Sequence, residues 1–276
     1  MKLIRFPDGT EIPALGQGSW MMAERPERRA AEVAALREGV ELGMTLIDTA
    51  EMYADGESER LVGEAIGGVR DRVFLVGKAY PHNASRDRLP RACEASLERL
   101  GTDRLDLYLL HWRGSVPLAE TVEAMERLVA AGKILRWGVS NLDADDMNEL
   151  VEAGGAACKT DQILYNLTRR GPEHDLIPGL AARRMAVMAY SPVEQGRLLS
   201  HRGLVEMADD KGATPAQLAL AWLLARDSVI AIPKAGSVAH VRENRAAADL
   251  RLGETDLKRL DDIFPRPCGP VPLEML

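Results

Sequence analysis

The chain has only three cysteines, Cys93, Cys158 and Cys268. Their odd count and wide spacing suggest neither a disulfide framework nor a zinc knuckle. Cys93 falls at helical spacing between Leu89 and Leu97, where it reads as core packing. No apolar run approaches the length of a membrane span, so no membrane partner is expected. Residues Met1 to Arg5 lead into Pro7-Asp8-Gly9 too soon for a signal-peptide apolar region. The expected compartment is therefore the cytoplasm. The net charge is −7 and no basic cluster stands out, which excludes a nucleic-acid footprint. The five histidines (His82, His111, His174, His201, His240) contain no His-x-His pair, so no metal site is expected. No Gly-x-Gly-x-x-Gly opens a helix after a strand, so a Rossmann module is not indicated. No linker or low-complexity tract divides the chain.

What is present is ordinary in composition and regular in pattern. Charged residues make up 28% and apolar residues 46% of the 276 positions, as in soluble globular proteins. Eight strand-like runs recur, each followed by a helical pattern. They are 14–19, Thr45 to Asp48, Val73 to Lys78, Leu105 to His111, Ile134 to Ser140, Thr160 to Leu164, Ala186 to Tyr190 and Val229 to Pro233. Between them Val33, Leu36 and Val40 share a helical face, as do Leu89, Cys93, Leu97 and Leu100, and Val122, Met125 and Val129. Strands alternating with helices imply a parallel sheet. Eight units in about 250 residues favour closure into an α/β fold of the (β/α)8 TIM-barrel type, one domain over 1–276. A hairpin around Pro7-Asp8-Gly9 precedes the barrel and is placed to plug its bottom. An extra C-terminal helix, about Glu254 to Phe264, follows a cap at Gly253 or Thr255.

In such a barrel the C-terminal strand ends carry the active site. Asp48, Lys78 and His111 fall at the ends of strands two, three and four, 30 and 33 residues apart. Tyr53 lies on the loop after strand two. Singly, each has a structural explanation: Asp48 as a turn cap, Tyr53 as a half-buried aromatic, Lys78 as a snorkelling lysine, His111 as a satisfied histidine beside Trp112. Together they place a carboxylate, a phenol, an ammonium and an imidazole on one patch, which points to a site. A phenol has a pKa of about 10 in water. A nearby ammonium lowers it. Lys78, held by Asp48, is expected to do so for Tyr53, which then acts as general acid toward a carbonyl, with His111 aiming the oxygen.

These four residues resemble the catalytic tetrad of the aldo-keto reductase family, and further segments match along essentially the whole chain. Gly18-Ser19-Trp20 resembles the end of the family's first strand, with Ser19 at the cofactor and Trp20 in the substrate pocket. Gly138-Val139-Ser140-Asn141 and Gln162 resemble the residues that bind the nicotinamide carboxamide. Tyr190, followed by Ser191, resembles the aromatic that stacks on the ring. Ile232-Pro233-Lys234, with Arg242-Glu243-Asn244, resembles the adenosine and 2′-phosphate site. The resemblance implies a (β/α)8 barrel that uses NADPH without metal or flavin.

The chain departs from the family in places. Ala235 stands where many relatives have a serine, and His240 where many have an arginine, with Arg242 one helical neighbour away as a substitute. These changes weaken the expected preference for NADPH over NADH. Asp161 stands where an asparagine is more usual, so that a carboxylate next to the carboxamide site would repel cofactor or titrate. Trp20, Tyr53, His111 and Trp112, with the loop from Arg113 to Val116, are expected to line a pocket for small carbonyl substrates. The chain looks most like bacterial members assigned to methylglyoxal and other 2-oxoaldehydes, and a monomer is expected. Two alternatives stay open: a nicotinamide-binding regulatory protein with slow turnover, and a Schiff-base aldolase with Lys78 as nucleophile.

Overall fold

The structure, a computed structural model, describes residues 1–276. Strands β1 (Leu3–Arg5) and β2 (Glu11–Pro13) pair antiparallel as the expected hairpin. Eight further strands follow: β3 (Gln17–Gly18), β4 (Leu46–Asp48), β5 (Phe74–Ala79), β6 (Leu107–Leu110), β7 (Trp137–Ser140), β8 (Thr160–Leu164), β9 (Ala186–Tyr190) and β10 (Val229–Ala231). All eight pair in parallel and in chain order. The sheet closes on itself. Gly16 N donates to Ala231 O (2.8 Å), Ala231 N to Ala14 O (2.8 Å) and Gly18 N to Pro233 O (3.0 Å). Several strands are shorter than their apolar runs because the flanking residues join only isolated bridges, as at Leu15, Leu105 and Ile134.

Helices return the chain between strands, led by α1 (Arg29–Glu41), α2 (Glu57–Ile66), α3 (Arg88–Leu100) and α4 (Leu118–Ala130). Val33, Leu36, Val40, Leu89, Cys93, Leu97, Leu100, Val122 and Met125 all bury their predicted faces against the barrel. Then come α5 (Ala144–Glu152), α6 (Leu176–Ala182), α7 (Arg202–Asp210), α8 (Pro215–Leu224) and α9 (Val238–Ala246). Their starts follow local chemistry. Asp143 accepts from Asp145 N and Asp146 N to cap α5, and Thr214 forms a capping box with Gln217 ahead of Pro215 in α8. The extra helix α10 (Glu254–Ile263) starts after Gly253 rather than Thr255, and Asp256 accepts from Gly253 N. No helix is long and apolar enough to cross a membrane.

Strand alternation sorts the core into two parts. Outward residues such as Ile47, Leu75, Tyr108, Val139 and Val187 join the large layer under the helices. Inward residues Leu46, Phe74, Val76, Leu107, Leu109, Ala186, Met188 and Ile230 fill the barrel with Ile4, Phe6 and Ile12 from the hairpin, which plugs the bottom. The same parity turns the last inward position of each strand toward the mouth. There the fill changes from apolar to Asp48, Lys78, Ser140, Gln162 and Tyr190.

Gly138 sits in this crowded interior. A Cβ there would lie 2.7 Å from Thr160 O, with Leu109 at 2.9 Å. Since one obstacle is backbone, Gly138→Ala is expected to lower stability by about 1–3 kcal/mol, read as a drop in melting temperature. A melting temperature at the wild-type value would count against this packing.

Candidate active site

Above the filled interior opens a cavity of about 640 Å³, within the range of small-molecule sites. Asp48, Tyr53, His111, Ser140, Asn141, Gln162, Tyr190, Ser191, Lys234, Trp20 and Trp112 line it, all of them singled out from sequence. Lys78 lies just behind the wall, fully buried. Its ammonium has three donors and three partners: Asp48 Oδ2 at 2.7 Å, Thr49 O at 2.9 Å and Tyr53 Oη at 3.0 Å. Asp48 Oδ1 accepts in turn from Gln162 Nε2 at 2.8 Å. Gln162 thus belongs to the Asp48 pair as well as to the cavity wall.

The backbone that carries Tyr53 is unusual. Ala54 and Asp55 both have left-handed φ values, 48° and 50°, and Gly56 follows at 87°. Such residues are costly outside glycine and persist only where the surroundings hold them. Glu51 supplies part of that hold. Its Oε1 accepts from Tyr80 N (2.6 Å) and Asn83 Nδ2 (3.0 Å), bracing the loop after β4 against the loop after β5.

The electrostatics correct one expectation. Burial, the largest influence, together with Asp48 outweighs the pull of Lys78, so the Tyr53 hydroxyl lies above its ordinary range rather than below it. Burial alone would depress Lys78, but Asp48 and Tyr53 more than offset it and the ammonium is favoured. A lysine held in that form, with its donors all engaged, is a poor Schiff-base nucleophile. For His111, burial and then the Lys78 charge bring the imidazole down to about 2. The ring is neutral at any ordinary pH, and its Nδ1 has no hydrogen-bond partner. It packs edge-on to the Tyr53 ring at 5.8 Å.

A polar wall stands on the other side. Asn141, itself left-handed at φ 58°, donates from Nδ2 to His111 O (3.1 Å) and Ser140 Oγ (3.0 Å). Its Oδ1 accepts from Tyr190 Oη at 2.9 Å. Burial pushes the Tyr190 phenol up to about 12.

Other candidates fall elsewhere. Ser19 is fully buried and shares a hydrogen bond with Ser58 Oγ (2.9 Å), so its side chain does not reach the cavity. His240, Arg242, Glu243 and Asn244 on α9 do not line it either. Arg242 donates to Glu38 Oε1 (2.8 Å) and Glu243 accepts from Thr214 Oγ1 (2.7 Å). Of the expected adenosine and 2′-phosphate group, only the segment Ile232-Pro233-Lys234 faces the cavity. The loop from Arg113 to Val116 is also absent from the wall, because Arg113 turns back to Glu149 and to the carbonyls of Gly114 and Val116. The sequence reading missed Met21, Met52, Val193, Gln195, Gly196, Met275 and Leu276, which do line it.

Asp161 is likewise not a cavity residue. It is the outward neighbour of Gln162 on β8 and fully buried, and the nearby backbone N–H groups of Leu142 and Asn141 favour its charged form but are too poorly aligned to satisfy either oxygen. Burial pushes this carboxyl well above its usual range. The native state therefore holds a proton that the unfolded chain releases above about pH 4, and stability falls as pH rises from there toward the raised pKa. Asp161→Asn is expected to melt higher than wild type at pH 8, with a gap that narrows toward pH 4. A gap constant with pH would show that the carboxyl does not titrate in this way.

A parallel eight-stranded barrel, with a buried Asp-Lys-Tyr hydrogen-bond chain and a neutral histidine at its mouth, is the architecture of a barrel enzyme with acid–base chemistry at its strand ends. Residues 14–264 match the Aldo/keto reductase family, and the chain belongs to it. It is 52% identical to the methylglyoxal reductase YeaE of Escherichia coli strain K12, over 100% of this chain and 99% of that protein. It is 29% identical to the glyoxal reductase of Bacillus subtilis strain 168, over 99% and 97% of the two chains. The crystal structure of an aldo/keto reductase from Klebsiella pneumoniae in complex with NADP and acetate is also 52% identical and superposes with a TM-score of 0.97, over 100% of this chain and 99% of that one.

Proposed function

We propose that this chain reduces small aldehydes and 2-oxoaldehydes of the methylglyoxal kind to alcohols, with NADPH as reductant. The observation that carries the reading is the buried chain Gln162–Asp48–Lys78–Tyr53, which ends with the Tyr53 hydroxyl in the cavity beside His111. The full-length similarity to a methylglyoxal reductase and the likeness to NADP-bound structures support the substrate class and the cofactor.

The donor set suits a nicotinamide dinucleotide. Ser140, Asn141 and Gln162 form an amide-rich wall, Tyr190 offers a ring, and Lys234 gives a cation at the rim of the same cavity. When bound, that group supplies a hydride to the carbonyl carbon. The protein does the rest. Trp20, Trp112, Met21 and Met52 exclude water around a small carbonyl compound. A neutral His111 has one N–H to give and directs the carbonyl oxygen. Tyr53 then gives that oxygen its proton. The resting phenol is already protonated, so Lys78 acts mainly on the transition state, where it stabilises the phenolate as it forms.

A barrel that closes on itself between Ala14 and Ala231 around one connected core supports a single domain over 1–276, and a monomer is part of the same proposal. The test is NADPH oxidation with methylglyoxal, glyoxal or nitrobenzaldehyde as acceptor. Turnover with one or more of them is expected. Tight NADPH binding with background turnover on all three would instead favour the regulatory reading.

A further inference from the structure

Two segments that wall the cavity have no direct place in the proton relay. One is the loop after β9, in which Ser191, Val193 and Gly196 reach the cavity. The other is the C-terminal tail, which contributes Met275. The loop is conformationally expensive, with left-handed φ at Ser191 (47°), Glu194 (51°), Gln195 (55°) and Gly196 (88°). Strain of this kind needs an anchor. The anchor is Glu194, whose side chain points away from the cavity and is 6% exposed.

Glu194 is held by the turn after β8. Asn166 Nδ2 donates to Glu194 Oε2 (2.7 Å) and to Ser191 O (2.9 Å). Glu194 Oε1 accepts from Arg169 Nε (3.2 Å) and Nη2 (2.8 Å), and from Arg197 Nη2 (2.9 Å). Arg169 itself is fixed on the turn by its N–H to Asn166 O at 3.0 Å. The remaining end of the same guanidinium, Nη1, donates to Glu274 Oε1 at 2.5 Å, next to Met275. A planar guanidinium cannot turn one edge without turning the other.

We propose that Arg169 is a positioning residue that couples the loop at 191–196 to the tail at 274–276, so that ordering one wall of the cavity orders the other. This rests on the reductase reading for its kinetic consequences, because the loop follows Tyr190 and both the loop and the tail wall the cavity that would hold cofactor and aldehyde. An undocked tail leaves Nη1 in water and frees the side chain, which weakens its two-point grip on Glu194. The loop then samples other conformations, and NADPH binds less tightly although no residue at its proposed site has changed.

The discriminating variant is Glu274→Gln, which touches the tail and not the loop. In the cofactor-free protein it is expected to speed amide hydrogen exchange across 191–197 as well as across 271–276. Arg169→Met should speed both more strongly, and Arg169→Lys should fall between. In assays with NADPH and methylglyoxal, Glu274→Gln should raise both the NADPH Kd and the aldehyde KM by about two- to five-fold, the reach of one exposed ion pair, with kcat nearly unchanged. The double variant Arg169→Met/Glu274→Gln should bind NADPH no more weakly than Arg169→Met alone, since coupled residues are not additive. Wild-type exchange at 191–197 in Glu274→Gln, or additive losses in the double variant, would overturn the coupling. A wild-type protein that binds no NADPH would defeat the reductase reading, and the exchange measurements would still decide the coupling.

Discussion

Tyr53→Phe is expected to cut aldehyde reduction by about 10²–10⁴-fold, the usual worth of a general acid, while leaving NADPH affinity near wild type. The substitution removes one oxygen from the end of the relay. Lys78 keeps Asp48 and Thr49 O as partners, so the buried charge remains satisfied. The ring keeps its edge-on contact with His111. The fold should therefore stand, and the loss should appear in kcat rather than in KM or melting temperature. A variant that keeps more than about a tenth of wild-type kcat would move the acid elsewhere, because general-acid losses are larger than that.

The pH profile offers an independent check on the same residue. An acid must be protonated to act, and the Tyr53 phenol lies above its ordinary range. His111, at about 2, stays neutral throughout. Reduction should therefore show no ionisation of either residue between pH 6 and 9, with loss only on the alkaline side. Oxidation of an alcohol needs the phenolate and should rise with pH over the same interval. Near neutrality the buried phenol is thus already in the protonated form that reduction requires.

Much of this is legible in the sequence, and the reason is periodicity. Strand alternation has a period of two and barrel strands end at one face, so Asp48, Lys78 and His111 had to converge once the eight repeats were recognised. The same parity would have turned Asp161 outward, since Gln162 faces the mouth and neighbours on a strand face opposite ways. That inference was there to be drawn from Thr160 to Leu164 alone. Other features had no such signal. The sign of the Tyr53 shift is a balance between burial and charge, and burial is a property of the packed molecule. The absence of His240 and Arg242 from the cavity wall depends on how α9 lies against α1, where Glu38 claims the arginine. The approach of Met275 to the cavity depends on contacts distant in the chain, among them Arg169 to Glu274, 105 residues apart, His174 to Pro267, and Leu273 against the core.

Lys78→Met should be the most disruptive single change at the site, and it separates two roles that Tyr53→Phe cannot. Lys78 and Asp48 are a buried pair, with side chains 0% and 3% exposed. Removing one member strands the other. Asp48 would retain Gln162 Nε2 on one oxygen but face no cation, and breaking such a pair costs about 3–5 kcal/mol. In a chain of this size each kcal/mol lowers the melting temperature by about 2–4 °C, so a fall on the order of 10 °C is expected. Turnover should fall at least as far as in Tyr53→Phe, since the phenolate would form with no ammonium beside it. The double variant Asp48→Asn/Lys78→Met then distinguishes the causes. It leaves no unpaired buried charge, and most of the lost melting temperature should return. Activity should not, because the charge that stabilises the departing proton's phenolate is still missing. If activity returned along with stability, Lys78 would be holding the fold rather than tuning Tyr53. If neither returned, the polar network from Gln162 to Thr49 would be indispensable to folding as a unit.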